Sequence, residues 1–456
     1  MPRYVIDEVA LTRNLEILAS VRERAGVKIL LAQKAFSCFE LYPLVAKYLD
    51  GATASGLFEA RLAHEEMPGK ENHVFAPAFR AEDMPELLAI VNHIVFNSPR
   101  QVEKFGEMAR AAGVSVGLRV NPEVSVATTP AYDPCRPGSR LGVTRGGMDA
   151  AWGGSQFTAT DDSAAINCVP PITPHNVAKT AVPYMESRHL GGDFIDGLHF
   201  HCLCEQGVEE LRQVLAGFEA KFGDLLPQMK WVNFGGGHHI TRADYDVDGL
   251  VEMLLDFRRR YPHLTVYLEP GEAVALDAGT LEATVLEIQP PCADGVSNAI
   301  LDVSAACHMP DVLEMPYTPR VTGASPLSGA SPLSGPAALS GASPLSVASR
   351  LSSEGTLRPE GPHSAAGALS PAGALKHLYR FGGPTCLAGD VIGTYRFPHP
   401  LAEGDQVVFE DMAIYSMVKN NTFNGMPLPS IAVRRVDGAE ETLKAFGYAD
   451  FKGRLG

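Results

Sequence analysis

Apolar residues recur at helical spacing near the start of the chain. Leu11, Leu15, Leu18 and Val21 fall three or four residues apart, and Gly26 ends the run. Residues 4–6 before it read as a short strand, and residues 27–31 after it as a buried one. The pattern then alternates: a helix over 40–48, a strand at 51–54, a helix over 57–66, strands at 73–76 and 93–96, a helix over 99–112 and a strand at 116–121. Such alternation predicts β-α units around a parallel sheet, and the number of units suits a closed (β/α)8 TIM-like barrel in an α/β fold. In a barrel of this kind the chemistry gathers where strands end. Lys34, Asn121, His201, Gly235 and Glu269 all fall at such ends.

Two stretches break the rhythm. Residues 146–176 lack sustained periodicity and are rich in glycine, proline and small polar residues, which predicts a long loop inserted between barrel units. Residues 321–375 repeat GASPLS, starting at 323, 329 and 341, and contain neither an aromatic residue nor a lysine. A segment of that composition cannot bury enough apolar surface to offset the entropy of ordering, so a disordered, low-complexity insertion is expected. From residue 281 on, runs such as TVLEI, AILDV, QVVFED and SIAVRRV predict a C-terminal all-β domain. The expected division is a barrel over 10–270 and a β domain built from 1–9 and 271–456.

Charge narrows the partners. The chain of 456 residues has 38 Lys and Arg against 53 Asp and Glu, a formal net charge of −15. That argues against nucleic acid or an anionic membrane as partner and favours a cationic small molecule. The N-terminus lacks a basic segment followed by an apolar run, and no stretch has the length of a spanning helix, so the expected location is cytoplasmic. Eight cysteines without paired CxxC spacing read as reduced thiols rather than as a disulfide or zinc framework.

The chemistry-bearing positions are few. In LLAQKAF, at 30–36, a buried strand runs into a turn with one lysine, Lys34, placed to form a Schiff base or simply to reach solvent. In GLHFHCLCE, at 197–205, His199 and His201 point to one face and Phe200 to the other. Cys202 and Cys204 alternate along the same strand and cannot close a tetrahedron with them without distortion, so no metal is expected. The turn Gly235, Gly236, Gly237 after WVNF offers backbone N–H groups to an anion, or is only a tight turn. Glu269, before Pro270 and Gly271, puts a carboxylate into a barrel mouth, where it needs a cationic or protonated partner.

Together AQKAF, HFHCLCE, NFGGGH, LEPGEA, GGPTCLAGD and FEDMAIYSMVKNNTFNG resemble the fold type III pyridoxal-phosphate decarboxylases, relatives of the ornithine and diaminopimelate enzymes. KAFSCFELYP, TASGLFEARLA, SRLGV, CLAGDVIG and TFNG are most similar to the carboxynorspermidine (carboxyspermidine) decarboxylase family. The resemblance implies pyridoxal 5′-phosphate held covalently by Lys34, with His201 stacked on its ring and Gly235, Gly236 and Gly237 around its phosphate. Tyr415 would add a phosphate contact, and Glu269 would face the ring nitrogen and favour its protonated form. It further implies a homodimer in which Cys386 and Asp390 reach a neighbouring subunit's site, Cys386 as a proton donor, and an acidic Asp311 that grips a distal amine. Glu272 stands where the ornithine and diaminopimelate enzymes carry arginine. An anion there argues against a diaminopimelate-type substrate and fits a polyamine-like cation in polyamine biosynthesis. Another basic amino-acid decarboxylase, or a catalytically silent homologue that binds a partner, remains the alternative.

Overall fold

The computed structural model describes residues 1–127, 129–153, 195–327 and 377–456. The chain opens with strand β1 (Arg3–Asp7) and helix α1 (Glu8–Ala25). Asp7 caps the helix by accepting the Ala10 N–H at 2.9 Å, and Gly26 closes it in the left-handed region at φ 64°. The predicted apolar stripe, Leu11, Leu15, Leu18 and Val21, is fully buried. Eight parallel strands then close a barrel: β2 (Lys28–Ala32), β3 (Gly51–Ala54), β4 (Glu71–Phe75), β5 (His93–Phe96), β6 (Ser115–Arg119), β7 (Gly197–His199), β8 (Trp231–Asn233) and β9 (Thr265–Leu268). Pairing of Lys28 with Tyr267 and of Ile29 with Leu268 joins the last strand to the first.

Side chains fill the lower barrel. Trp231 and Tyr267 pack there with Leu30 and Val95, and Gly117 and Gly197 make the room: a Cβ would lie 2.4 Å and 2.1 Å from the Trp231 ring. Beneath them the His73 and His93 rings stack at 4.0 Å with planes 11° apart. Glu71 is hydrogen-bonded to Lys28 and to His73. Glu71, His73 and His93 bring their ligand atoms within 4.8 Å of one another, yet lone pairs in two nearly parallel rings do not converge on one ion, and Lys28 already neutralises the carboxylate.

The second unit is a nine-stranded sheet in which β1 joins β10 (Gly279–Ile288), β11 (Ser297–Leu301), β12 (Ser325–Pro326), β13 (His377–Gly382), β14 (Val391–Phe397), β15 (Gln406–Glu410), β16 (Ser430–Arg434) and β17 (Glu440–Lys444). Its order is β12-β14-β13-β11-β10-β1-β16-β17, with β15 also on β10. The unit is mostly sheet, as expected; short helices at Ala305–His308, Asp311–Glu314 and Ser416–Lys419 sit between its strands, and one at Tyr448–Gly453 follows the last.

Both expected insertions begin later than their composition suggests. Arg145–Trp152 is a helix, capped by Thr144 and braced by Arg145 on Asp149 at 2.9 Å; Gly146 and Gly147 had hidden it, being poor helix formers. The remainder of that stretch lies outside the described residues from 154 to 194. Residues 321–327 are part of the sheet, since the Thr322 N–H bonds Val408 O at 3.0 Å and the Leu327 N–H bonds Thr394 O at 3.0 Å. The rest of the low-complexity expectation, 328–376, also lies outside the described residues.

This geometry sets up a deletion. Leu327 ends on one side of β14 and His377 starts on the other, opposite Phe397. Two strand spacings and three residues of rise separate them by roughly 14 Å, a span that about six Gly/Ser residues cover. Replacing 328–376 by such a linker is expected to leave the thermal unfolding midpoint within about 3 °C and to retain activity. Calorimetry and a turnover assay check it, and failure to fold would give the segment a structural role.

Candidate active site

A cavity of about 840 Å³ opens at the C-terminal ends of the barrel strands, between the barrel and the sheet domain. Lys34, His199, His201, Glu269, Glu272 and Asp311 are among its walls. Lys34 follows β2 on a turn fixed by its neighbours. The Ala32 N–H donates to Pro270 O at 3.0 Å, that of Gln33 to Thr53 O at 3.2 Å and that of Ala35 to Ala32 O at 3.1 Å. The sheet domain holds the same turn, through the Tyr415 N–H on Ala35 O at 2.9 Å. The Lys34 side chain is open to the cavity but enclosed by protein beyond it. Desolvation, then the charge of Arg119, lowers its pKa, which raises the share of the neutral, nucleophilic amine.

Glu269, just past β9, is gripped from two sides. His199 Nε2 lies 3.3 Å from Oε2, and Asn233 Nδ2 donates to Oε1 at 2.8 Å. Burial alone would raise this carboxyl, but His199, His73 and Asn233 together push it down to about 2. Burial lowers His199 as well, against the pull of Glu269. The pair is therefore a carboxylate accepting an N–H from a neutral imidazole, and the bottom of the cavity carries one fixed negative charge.

His201 and the glycine turn interlock. The Gly236 N–H donates to His201 Nδ1 at 2.9 Å, which leaves the ring proton on Nε2, and burial, then the charge of Lys34, holds the ring neutral. Gly235 and Gly237 have φ of 68° and 85°, and a Cβ on either would collide with backbone, at 2.6 Å from Phe200 O and 2.0 Å from Leu203 O. The Gly235 N–H is spent on Asn233 Oδ1 at 2.8 Å. That leaves Gly237 as the member of the turn whose N–H meets no acceptor among the described residues.

Arg119, at the end of β6, is a residue the sequence reading passed over. It is buried, lies 4.5 Å over the Phe75 ring and donates to His201 O at 3.0 Å; desolvation lowers it to about 10, so it stays charged. An arginine inside the apolar run VGLRV was the available signal.

Acidic groups line the cavity's outer part. Glu272 Oε2 lies 3.0 Å from His239 Nε2, too far out of line to count as a hydrogen bond, and the pairing raises His239 against burial. Asp311 is present as expected but already paired: Lys419 Nζ is 2.5 Å from its Oδ1. Tyr415 lines the cavity with φ 48°, and burial raises its hydroxyl's pKa. Cys386 and Asp390 do not line it. Cys386 is exposed, its thiol on Asn424 Oδ1 at 3.1 Å. Asp390 is buried and accepts from Ser304 Oγ at 2.9 Å, Ala306 N–H at 3.3 Å and Thr385 Oγ1 at 2.6 Å, so it fixes the turn that carries Cys386.

No family model matches the chain. Among curated proteins, the carboxynorspermidine/carboxyspermidine decarboxylase of Campylobacter jejuni is 37% identical, with 99% of this chain and 97% of that protein covered. The enzyme of the same name from Herminiimonas arsenicoxydans is 31% identical over 100% of this chain and 99% of its own length. A carboxyaminopropylagmatine decarboxylase from Synechocystis sp. is 36% identical, covering 100% of this chain and 95% of that one. The crystal structure of Campylobacter jejuni carboxynorspermidine decarboxylase complexed with norspermidine superposes with a TM-score of 0.75 at 35% identity, covering 100% of this chain and 99% of that one. Diaminopimelate decarboxylase from Helicobacter pylori, 15% identical with a TM-score of 0.67 over 100% of this chain and 96% of its own, shares the fold. With identity above 30% along the whole length of these relatives, the chain belongs to the carboxynorspermidine/carboxyspermidine decarboxylase family.

Proposed function

We propose that this enzyme is a pyridoxal 5′-phosphate-dependent carboxy-lyase that converts carboxynorspermidine or carboxyspermidine to the triamine and carbon dioxide. The observation that carries it is Lys34, a desolvated amine at a strand end, opening into the same cavity as the hydrogen-bonded carboxylate of Glu269. The cofactor fits the residues present. Lys34, His201, Gly237, Glu269 and Tyr415 line one cavity, and the Gly237 N–H meets no acceptor among the described residues, which leaves it free for an anion. Lys34 would bind it covalently, the Gly237 N–H and Tyr415 would hold its phosphate, and His201 and Glu269 would hold its ring, whereas the expected Gly235 and Gly236 contacts are already spent on Asn233 and His201. When bound, it supplies an electron sink for the carbon that loses carbon dioxide.

The chain's own groups do the rest. The lowered pKa of Lys34 enlarges the neutral, nucleophilic share of the amine that would hold the cofactor. The fixed charge of Glu269, held by His199 and Asn233, keeps a proton opposite it in place through the reaction. Glu272 supplies negative charge for the substrate's cationic chain. Decarboxylation breaks one C–C bond, and a proton must then replace carbon dioxide on the same carbon.

Cys386 is the proposed donor, delivered by a second copy of the chain in a homodimer. Its exposure, beside exposed Leu387 and Phe423, supports this placement. Mixing Lys34→Ala and Cys386→Ala proteins is then expected to restore about a quarter of wild-type activity from two nearly inactive parents, because random pairing gives hybrids with one intact site. Absence of recovery would place Cys386 in its own chain's site or outside the reaction. The cysteines among the described residues are free, in keeping with a cytoplasmic enzyme.

The relative named for carboxyaminopropylagmatine supports a second reading, with a guanidino group at the far end of the substrate. Product analysis with carboxynorspermidine, carboxyspermidine and carboxyaminopropylagmatine side by side decides it. Preference for either triamine precursor upholds the first reading, and preference for the guanidine upholds the second.

A further inference from the structure

The cavity's acidic groups are not equally provided for. Glu272 faces His239, Asp311 is bonded to Lys419, and Glu410 faces Arg320 at 3.1 Å. Two carboxylates on the cavity wall have no such partner within ion-pair reach among the described residues: Glu205, just beyond β7 of the barrel, and Asp411, just beyond β15 of the sheet domain. Among the described residues, Asp411 accepts one backbone N–H, from Asp277 at 2.7 Å, and Glu205 accepts none. Both residues hold their backbones in the left-handed region, at φ 70° and φ 59°, an expensive conformation for residues other than glycine.

Resting on the reading above, we infer that Glu205 and Asp411 determine substrate specificity: they approach from the two domains and bind the two amines of a carboxylated triamine that lie beyond its reacting amine. The counts agree. A carboxylated triamine has one amine at the reacting centre, one secondary amine and one distal primary amine, so two cationic centres remain for two unmatched carboxylates. A diamine leaves one of them unmet.

The electrostatics point the same way. Glu205 is exposed to the cavity, where partial desolvation, then the charge of Glu272, raises its pKa; burial and the charges of Asp277 and Glu272 hold Asp411 up at about 6, against the Asp277 N–H and the pull of Arg320. Carboxylates so placed are destabilised as anions, and a bound cation relieves them. Glu410 and Tyr317 complete the titratable surroundings of Asp411 on the cavity wall.

The test uses the cofactor-loaded enzyme and the variants Glu205→Gln and Asp411→Asn. Calorimetric titration with norspermidine is expected to give a Kd raised about tenfold to a hundredfold in each variant, with a smaller change for 1,3-diaminopropane. In the same variants kcat/KM for carboxynorspermidine should fall by a similar factor, mainly through KM. Unchanged norspermidine affinity in both variants overturns the inference. So does an equal loss for the two amines accompanied by loss of cofactor absorbance, which marks a structural role. Failure of the underlying reading looks different. In that case the wild-type protein decarboxylates none of the carboxylated triamines, while the variants still discriminate between the two amines.

Discussion

Lys34→Ala is expected to lower kcat/KM by at least on the order of 10³-fold, because it removes the nucleophile on which covalent attachment depends. Folding should survive it. The turn is fixed by the backbone bonds of Ala32, Gln33 and Ala35, none of which uses the lysine side chain. Burial disfavours the ammonium, so alanine relieves a desolvated group, and the thermal midpoint should move by no more than about 3 °C. Borohydride should fix the cofactor's mass to the wild-type chain and not to the variant. Turnover near the wild-type rate, or borohydride labelling at another lysine, would remove Lys34 from its role.

Glu269→Gln keeps the volume and an acceptor for Asn233 but takes away the one fixed negative charge at the bottom of the cavity. Preorganised charge in an enclosed site is worth a few kcal/mol, so kcat should fall by about 10² to 10³-fold while cofactor is retained. The wild-type charge is robust to acid. The folded pKa is depressed to about 2, below its ordinary 4.5, so the contribution is fully present above the ordinary value and lost as pH falls through the depressed one. The acid limb of the wild-type rate profile should therefore belong to other groups. A Glu269→Gln enzyme with unchanged kcat would show that the carboxylate serves packing alone.

Much of this molecule was legible in the chain because the signals are local. Strands 51–54 and 93–96 and the helix 57–66 match the observed elements residue for residue, since apolar spacing and turn residues specify them without help from distant segments. Lys34 and Glu269 were found in the same way, as polar residues at the ends of apolar runs. The late boundaries of both insertions were not legible. Arg145–Trp152 depends on a cap and an ion pair that outweigh two glycines, and residues 321–327 on hydrogen bonds to strands that follow far along the chain, at Thr394 and Val408.

What sequence alone determined is the alternation that closes the barrel, the place of Lys34 at the end of its first strand, and the family to which the motifs belong. Only the tertiary structure decided which charges are spent and which are free. Asp311 is matched by Lys419, 108 residues away, and Asp390 is consumed by the turn it holds, while Glu205 and Asp411 line the cavity with no cation in ion-pair reach among the described residues. The reason is physical. Apolar periodicity is written along the chain in steps of two to four residues, whereas the state of a charge depends on whatever folding brings within a few ångströms of it.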